Sequence, residues 1–175
     1  NDVLLRHLKR LQEFHEVQFL ARSHINYRVY PEPVIGFENH AAYDTDVTQH
    51  GNTEALRHVA QELADRGIAK PYSPAYHVVV IVYEGVGAGG SDNTAFLSRY
   101  FLTEPEYDLF GTTFLVHEFY HTLGAPDRYV VSQKVYSDGS SVPVEVVTSE
   151  DIMSRVRVPI EYAYLDRATL RAMGL

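Results

Sequence analysis

Cysteine is absent from all 175 residues. That absence excludes disulfides, cysteine-ligated zinc, iron–sulfur clusters and thiol nucleophiles, and it leaves the redox compartment open. Positive charge is scarce as well. Fifteen Lys and Arg stand against 23 Asp and Glu, a formal net charge of −8 with a pI near 5.5, which argues against a nucleic-acid partner. No apolar run approaches about 18 residues, so no membrane span is expected. A signal-peptide pattern is missing too: Asn1-Asp2 leads straight into a helix-like stretch, and any targeting or pro-segment is expected to lie outside this sequence. There are no repeats, low-complexity tracts or obvious linkers. The expectation is a single domain over 1–175, acting as a monomer and large enough to bury about 70% of its unfolded surface.

What is present is concentrated between Val116 and Tyr129, in the run V-H-E-F-Y-H-T-L-G-A-P-D-R-Y. On a helix His117 and His121 stand at i and i+4 on one face, so both rings can reach one zinc ion with bonds of about 2.0–2.1 Å. Glu118 lies roughly 100° further round the same turn, suited to accept a proton rather than to ligate. A catalytic zinc then lacks one protein ligand. Were the helix to continue, Asp127 would sit about 9 Å along the axis and roughly 240° round it, facing away. Gly124 suits the left-handed residue that ends a helix, and Pro126 disfavours the helical region for Ala125. A break there can fold Asp127 back beneath the ion, giving an N,N,O ligand set with a fourth position open. The short pattern alone also fits a buried helix with satisfied histidines.

The full pattern His117-Glu118-x-x-His121-x-x-Gly124-x-x-Asp127 resembles the long zinc motif of the metzincin metalloproteases. The variant is the one in which aspartate replaces the usual third histidine, as in snapalysin-like and immune-inhibitor-A-like bacterial proteases. Gly124-Ala125-Pro126-Asp127-Arg128-Tyr129 is similar to their continuation, and Asp151-Ile152-Met153-Ser154 resembles the Met-turn of the clan. The resemblance covers about 116–154 firmly. It implies an α/β (α+β) zincin with a twisted, mostly parallel sheet, an antiparallel edge strand and two long helices above a cleft. Below the cleft it implies a small irregular part with the Met-turn and a C-terminal helix. The upper part would be about 1–123 and the lower about 124–175. The implied activity is a secreted or cell-envelope zinc endopeptidase acting on protein or peptide substrates. Zinc would be held by His117, His121 and Asp127, with Glu118 as base and Met153 beneath the site. The segment around 94–102 would be the edge strand that pairs with substrate, and a short helix over 95–102 is the competing reading. The primed-side pocket would be built by Arg155, Val156, Arg157, Val158, Pro159, Tyr162 and Tyr164. Several metzincins use a tyrosine just after the Met-turn as an oxyanion donor. Ser154 and Arg155 occupy that place here, so Tyr129, two residues past Asp127 and on its side of an extended chain, is the substitute candidate.

Elsewhere, helical spacing of Val3, Leu4, Leu8, Leu11 and Phe14 predicts a helix over about 2–15. His24 to Tyr30 reads as a strand, 31–52 as a long loop, and Thr53 to Leu63 as a helix stopped at Gly67. The β-branched run His77–Tyr83 suggests a strand buried on both faces. Thr112 or Thr113 is expected to cap the histidine-bearing helix. Tyr129–Tyr136 and Val142–Val147 flank Ser137-Asp138-Gly139-Ser140 as a hairpin, and Leu165–Met173 closes as a helix ending at Gly174. Gly85-Val86-Gly87-Ala88-Gly89-Gly90 satisfies the glycine pattern of dinucleotide-binding folds, with Glu104 and Glu106 downstream. Pro105 interrupts the second strand that fold requires, so a loop at the cleft rim is the favoured reading. A non-catalytic zinc module, or a peptidase with Glu145 or Glu150 as third ligand, are further alternatives. Asp92 with Asn93, and Asp138, are the residues calcium would need, although neither matches a calcium loop and turn chemistry explains both. His7, His15, His24, His40, His50, His58 and His77 show no ligand spacing and read as surface or satisfied core residues.

Overall fold

A computed structural model of the chain describes residues 2–39, 53–68, 78–85, 87–91 and 93–175. The expected glycine-loop residue Val86, the calcium candidate Asp92, and His40, His50 and His77 lie outside them.

The fold is mixed α/β with two small sheets. Helix α1 (Asp2–Gln18) buries His7, Leu8, Leu11, Phe14 and His15, a stripe at helical spacing. Helix α2 (Thr53–Asp65) ends where Gly67 takes a φ of +69° and Ile68 N–H bonds the Leu63 carbonyl, so the expected stop holds. Three strands follow: β1 (Val79–Tyr83), β2 (Ala88–Ser91) and β3 (Thr94–Ser98). They pair in the order β1-β3-β2, with β1 parallel and β2 antiparallel to β3. A short helix α3 (Tyr100–Thr103) leads to the helix that carries the histidines, α4 (Gly111–His121). The hairpin β4 (Tyr129–Val135) and β5 (Ser141–Val147) forms the second sheet, and α5 (Arg167–Ala172) closes the chain. The hairpin turn matches expectation, with Gly139 at a φ of +83°. Asp138 there accepts from the Ser140 amide and hydroxyl, which is turn chemistry rather than calcium chemistry. Asp166 caps α5 by accepting from Thr169 N–H at 2.8 Å.

Several expectations are corrected. Residues 24–30 join neither sheet; Ile25 and Val29 pack against the core instead, and the Ile25 carbonyl is taken by the Gln12 side chain. Alternation makes a segment fit for a strand, but only a neighbouring ladder makes it one. Strand β1 is half-buried along its length because it is an outer strand of the sheet among the described residues. Strand β3, expected at the edge, is the central one: Ala95, Phe96, Leu97 and Ser98 are buried, and the chain turns helical from Tyr100. The antiparallel edge is β2, in the glycine-rich segment read as a loop. Among the described residues the glycines lead into β3 rather than into a helix, which removes the structural basis of the dinucleotide-binding alternative. The expected threonine cap is also absent. Phe110 precedes α4 without a side-chain cap, while Thr112 and Thr113 are buried and bonded elsewhere.

Helix α4 is wedged between α1 and the β2–β3 side of the sheet. On the α1 side, His7 Nδ1 lies 2.8 Å from the Thr112 hydroxyl and His15 Nδ1 lies 3.0 Å from the Tyr120 hydroxyl. Both pairs are separated by 105 positions, so the helices run parallel and are pinned together at points about 12 Å apart. Burial lowers the pKa of both histidines, favouring the neutral rings that these contacts use. His24 and His58 meet Glu16 and Glu62. All four are thus partnered, as expected.

On the sheet side the approach is closer than any side chain permits. A Cβ at Gly90 would lie 2.1 Å from the Glu118 carbonyl oxygen and 2.9 Å from His121 Cβ. Gly90→Ala must therefore push β2 away from α4 at the level of the site residues. A loss of roughly 3 kcal/mol or more is expected, at the upper end for overpacking because the obstacle is backbone. Gly89→Ala meets only the Phe96 ring and should be milder. Thermal melts of the two variants decide the point, and a Gly90→Ala protein melting with wild type would refute this account of the glycine.

Candidate metal centre

The end of α4 brings Asp127 back to His117 and His121. Gly124 adopts a φ of +86°, Gly124 N–H bonds the His121 carbonyl at 3.0 Å and Ala125 N–H bonds the Tyr120 carbonyl at 3.1 Å. This is the paired closure that a left-handed glycine allows. Ala125 is buried, and the chain beyond Pro126 runs back under the helix. Arg128 N–H then bonds the Met153 carbonyl at 2.8 Å, while the Arg128 carbonyl accepts from Thr148 N–H and the Ser154 hydroxyl. The strap carrying Asp127 is thereby fixed to the turn at 151–155.

That turn is built around Asp151, which is fully buried and accepts from Met153 N–H at 2.6 Å and from Asp166 N–H. Burial raises its pKa, and the amide donors oppose the shift. The turn also orients a ligand candidate. His117 Nδ1 lies 3.0 Å from the Ile152 carbonyl, and His121 Nδ1 lies 2.8 Å from the Ala125 carbonyl. A carbonyl only accepts, so both Nδ1 atoms carry the proton and both Nε2 atoms of the neutral rings present lone pairs.

Those lone pairs converge. His117 Nε2 and His121 Nε2 are 3.1 Å apart, and Asp127 Oδ1 is 3.3 Å from each. A tetrahedral ion with bonds of about 2.0–2.1 Å separates its ligand atoms by about 3.3–3.4 Å. The triangle therefore has the dimensions of one face of a zinc tetrahedron. Three acceptors at that spacing repel unless a proton or a cation lies among them. Burial opposes protonation of His121, but Asp127 and Glu118 together raise its pKa. Burial likewise opposes the charged form of Asp127, and the two imidazoles hold it well below the usual carboxylate range. The donor set fits zinc: two imidazoles, each with its other nitrogen held by a carbonyl, and one carboxylate.

Glu118 stands beside this triangle, 8% exposed. Its carboxylate lies within 4.8 Å of ligand nitrogens of His117 and His121, and together they form the metal-capable cluster found among the described residues. Burial raises the Glu118 pKa, offset in part by the two histidines. The Tyr129 ring stacks beside His117 at 6.5 Å between centroids, so this tyrosine borders the site.

The expected pocket residues are less closely drawn together. Val158 is fixed by the Thr113 hydroxyl, which donates to its carbonyl. Val156 and Pro159 are half-buried, whereas Arg157 and Tyr162 are exposed. Arg155 is paired with Glu150, which occupies the carboxylate considered as an alternative third ligand. Sequence reasoning missed the parts of the site that carry no chemistry of their own: Gly90 and the carbonyls of Ala125 and Ile152. A Gly-Gly pair just after a strong strand was the available signal for close backbone approach.

No protein-family model matches this chain, and neither the curated proteins nor the solved structures contain a match. The class therefore rests on the site: a mixed α/β protein whose helix at 111–121 carries a candidate zinc-binding His–Glu–x–x–His group.

Proposed function

We propose that this chain is a zinc-dependent endopeptidase of metzincin type. The observation that carries the reading is the convergence of His117 Nε2, His121 Nε2 and Asp127 Oδ1 at 3.1–3.3 Å with a buried carboxylate beside them. Zinc in that triangle supplies Lewis acidity, which acidifies water and polarises a peptide carbonyl. Glu118 takes the proton of the attacking water and passes it to the departing amine, and its raised pKa suits both transfers. In this reading Asp151-Ile152-Met153-Ser154 is the Met-turn, with Met153 wholly buried in the core below the site. The upper part, about 1–123, offers β2 as the antiparallel edge for a substrate strand, in place of 94–102. The lower part, about 124–175, offers the wall from Val156 to Tyr162 for the side chain beyond the scissile bond. Arg157 would favour an acidic residue there, because Arg155 is already engaged by Glu150. The same resemblance supports a secreted or envelope location, which fractionation of the producing cells tests.

The test is metal content together with cleavage of unfolded casein, before and after 1,10-phenanthroline. One zinc per chain and chelator-sensitive cleavage are expected. Zinc without cleavage would favour a non-catalytic zinc module, and no zinc after reconstitution at neutral pH would end both readings.

Tyr129 is the proposed donor to the oxyanion, supported by its stacking beside His117. Tyr129→Phe should then lower kcat by about 10–1,000-fold, the range for losing one such donor. Zinc content and KM should stay near wild type. Full kcat in the Phe variant would eliminate this tyrosine and turn attention to Arg155.

A further inference from the structure

The hairpin leaves the metal triangle directly: β4 begins two residues after Asp127, and β5 returns the chain to the turn at 151–155. Its register pairs Tyr129 with Val147 and Val135 with Ser141. At its ends, Thr148 N–H bonds the Arg128 carbonyl at 3.2 Å and Tyr136 N–H bonds the Ser140 carbonyl at 2.8 Å. Antiparallel ladders alternate bonded and non-bonded pairs, so these end bonds assign the inward bonds to the even-numbered residues of β4. The odd-numbered residues turn their N–H and C=O groups to the outer edge.

The two outer edges are unequal. On β5, Pro143 sits opposite Gln133 at a non-bonded position and offers no N–H to that edge. On β4, Val131, Gln133 and Val135 each retain an outward donor and acceptor, and no described residue is bonded to them. Beside that edge β4 itself exposes Val130, Val131 and Val135 at 54%, 47% and 68%, with Ser132, Gln133 and Lys134 between them. The β4 edge, which keeps its full run of donors and acceptors beside unburied valines, is the better template for a third strand.

We propose that the outer edge of β4 binds an extended, apolar-patterned stretch of polypeptide substrate as an added strand, outside the cleft itself. This rests on the peptidase reading and extends it, because β4 runs out from the catalytic triangle over about 23 Å, the length of a seven-residue strand. The enzyme then discriminates by chain length and extension. A short peptide occupies the cleft alone, whereas an unfolded chain also gains the backbone bonds of β4.

Two peptides with the same cleavage site, one of four residues and one of sixteen, provide the test on the full chain loaded with zinc. Val131→Pro and Gln133→Pro each delete one outward N–H without touching a ladder bond, as Pro143 already does on β5. Each should lower the ratio of kcat/KM for long over short peptide by about tenfold, while Pro143→Ala should not lower it. A ratio that stays at the wild-type value would overturn the proposal. Independently, Glu118→Gln protein with the uncleaved long peptide bound should gain amide-exchange protection at Val131, Gln133 and Val135. Peptide bound without that protection would also overturn it. If wild type fails to cleave even the short peptide, the peptidase reading fails, and the exchange measurement still decides the edge. Protection of the same amides without peptide, with a doubled mass in sedimentation, would assign the edge to a second copy of the chain and reject the substrate role.

Discussion

Glu118→Gln is expected to retain zinc and to lose kcat by about 10²–10⁴-fold, the range for removing a positioned general base. Glutamine keeps the size of the side chain and an oxygen acceptor, so the packing around this residue, 8% exposed, need not collapse. Nor does the triangle lose an atom, since its corners are His117 Nε2, His121 Nε2 and Asp127 Oδ1. What disappears is a site for the proton. Burial already lifts the Glu118 pKa above the usual carboxylate value, with the two histidines opposing the shift. The acid limb of the pH profile of kcat/KM should vanish with the carboxylate. Elemental analysis, kcat and the pH profile are measured on one preparation. A variant with full zinc and near-wild-type kcat would show that the proton goes elsewhere, and the buried carboxylate would then be structural.

The parts of this site legible in sequence were those whose geometry is set within a few residues. His117 and His121 share a face because a helix repeats every 3.6 residues, whatever surrounds it. Gly124 and Pro126 forced an end to that helix, and the observed glycine φ of +86° with the Ala125-to-Tyr120 bond is the local solution. Asp127 followed from that break. The hairpin, α1 and α5 were legible for the same reason: turn residues, apolar spacing and capping act over a few positions.

Elements that depend on a distant neighbour were not legible. Residues 24–30 have the composition of a strand but no ladder to join. Thr94–Ser98 is central because β1 pairs on one side and β2 on the other, and β2 was disguised by its glycines. Those glycines looked like a phosphate-binding loop because both uses need backbone without side chains. The distinction lies in what approaches, here the Glu118 carbonyl rather than a cofactor. Thr112 was a reasonable cap until His7, 105 positions earlier, claimed its hydroxyl.

Asp127→Ala is expected to remove zinc and activity together. The carboxylate is partly exposed, at 43% for the side chain, so little packing is lost and the fold should survive. Two imidazole nitrogens 3.1 Å apart remain, a chelate of two ligands where a catalytic zinc takes three. Removing partners that merely orient a ligand costs about 10–100-fold in affinity; losing a ligand itself should exceed that, with Kd rising by more than about 100-fold. Asp127→Asn keeps the shape without the charge and should fall between. Asp127→His offers a third imidazole and is expected to recover much of the affinity. Competition with a chromophoric chelator at neutral pH measures all three, and far-ultraviolet circular dichroism separates metal loss from unfolding. If Asp127→Ala were folded and held zinc as tightly as wild type, the third donor would have to come from elsewhere. Glu150 would first have to leave Arg155 to supply it.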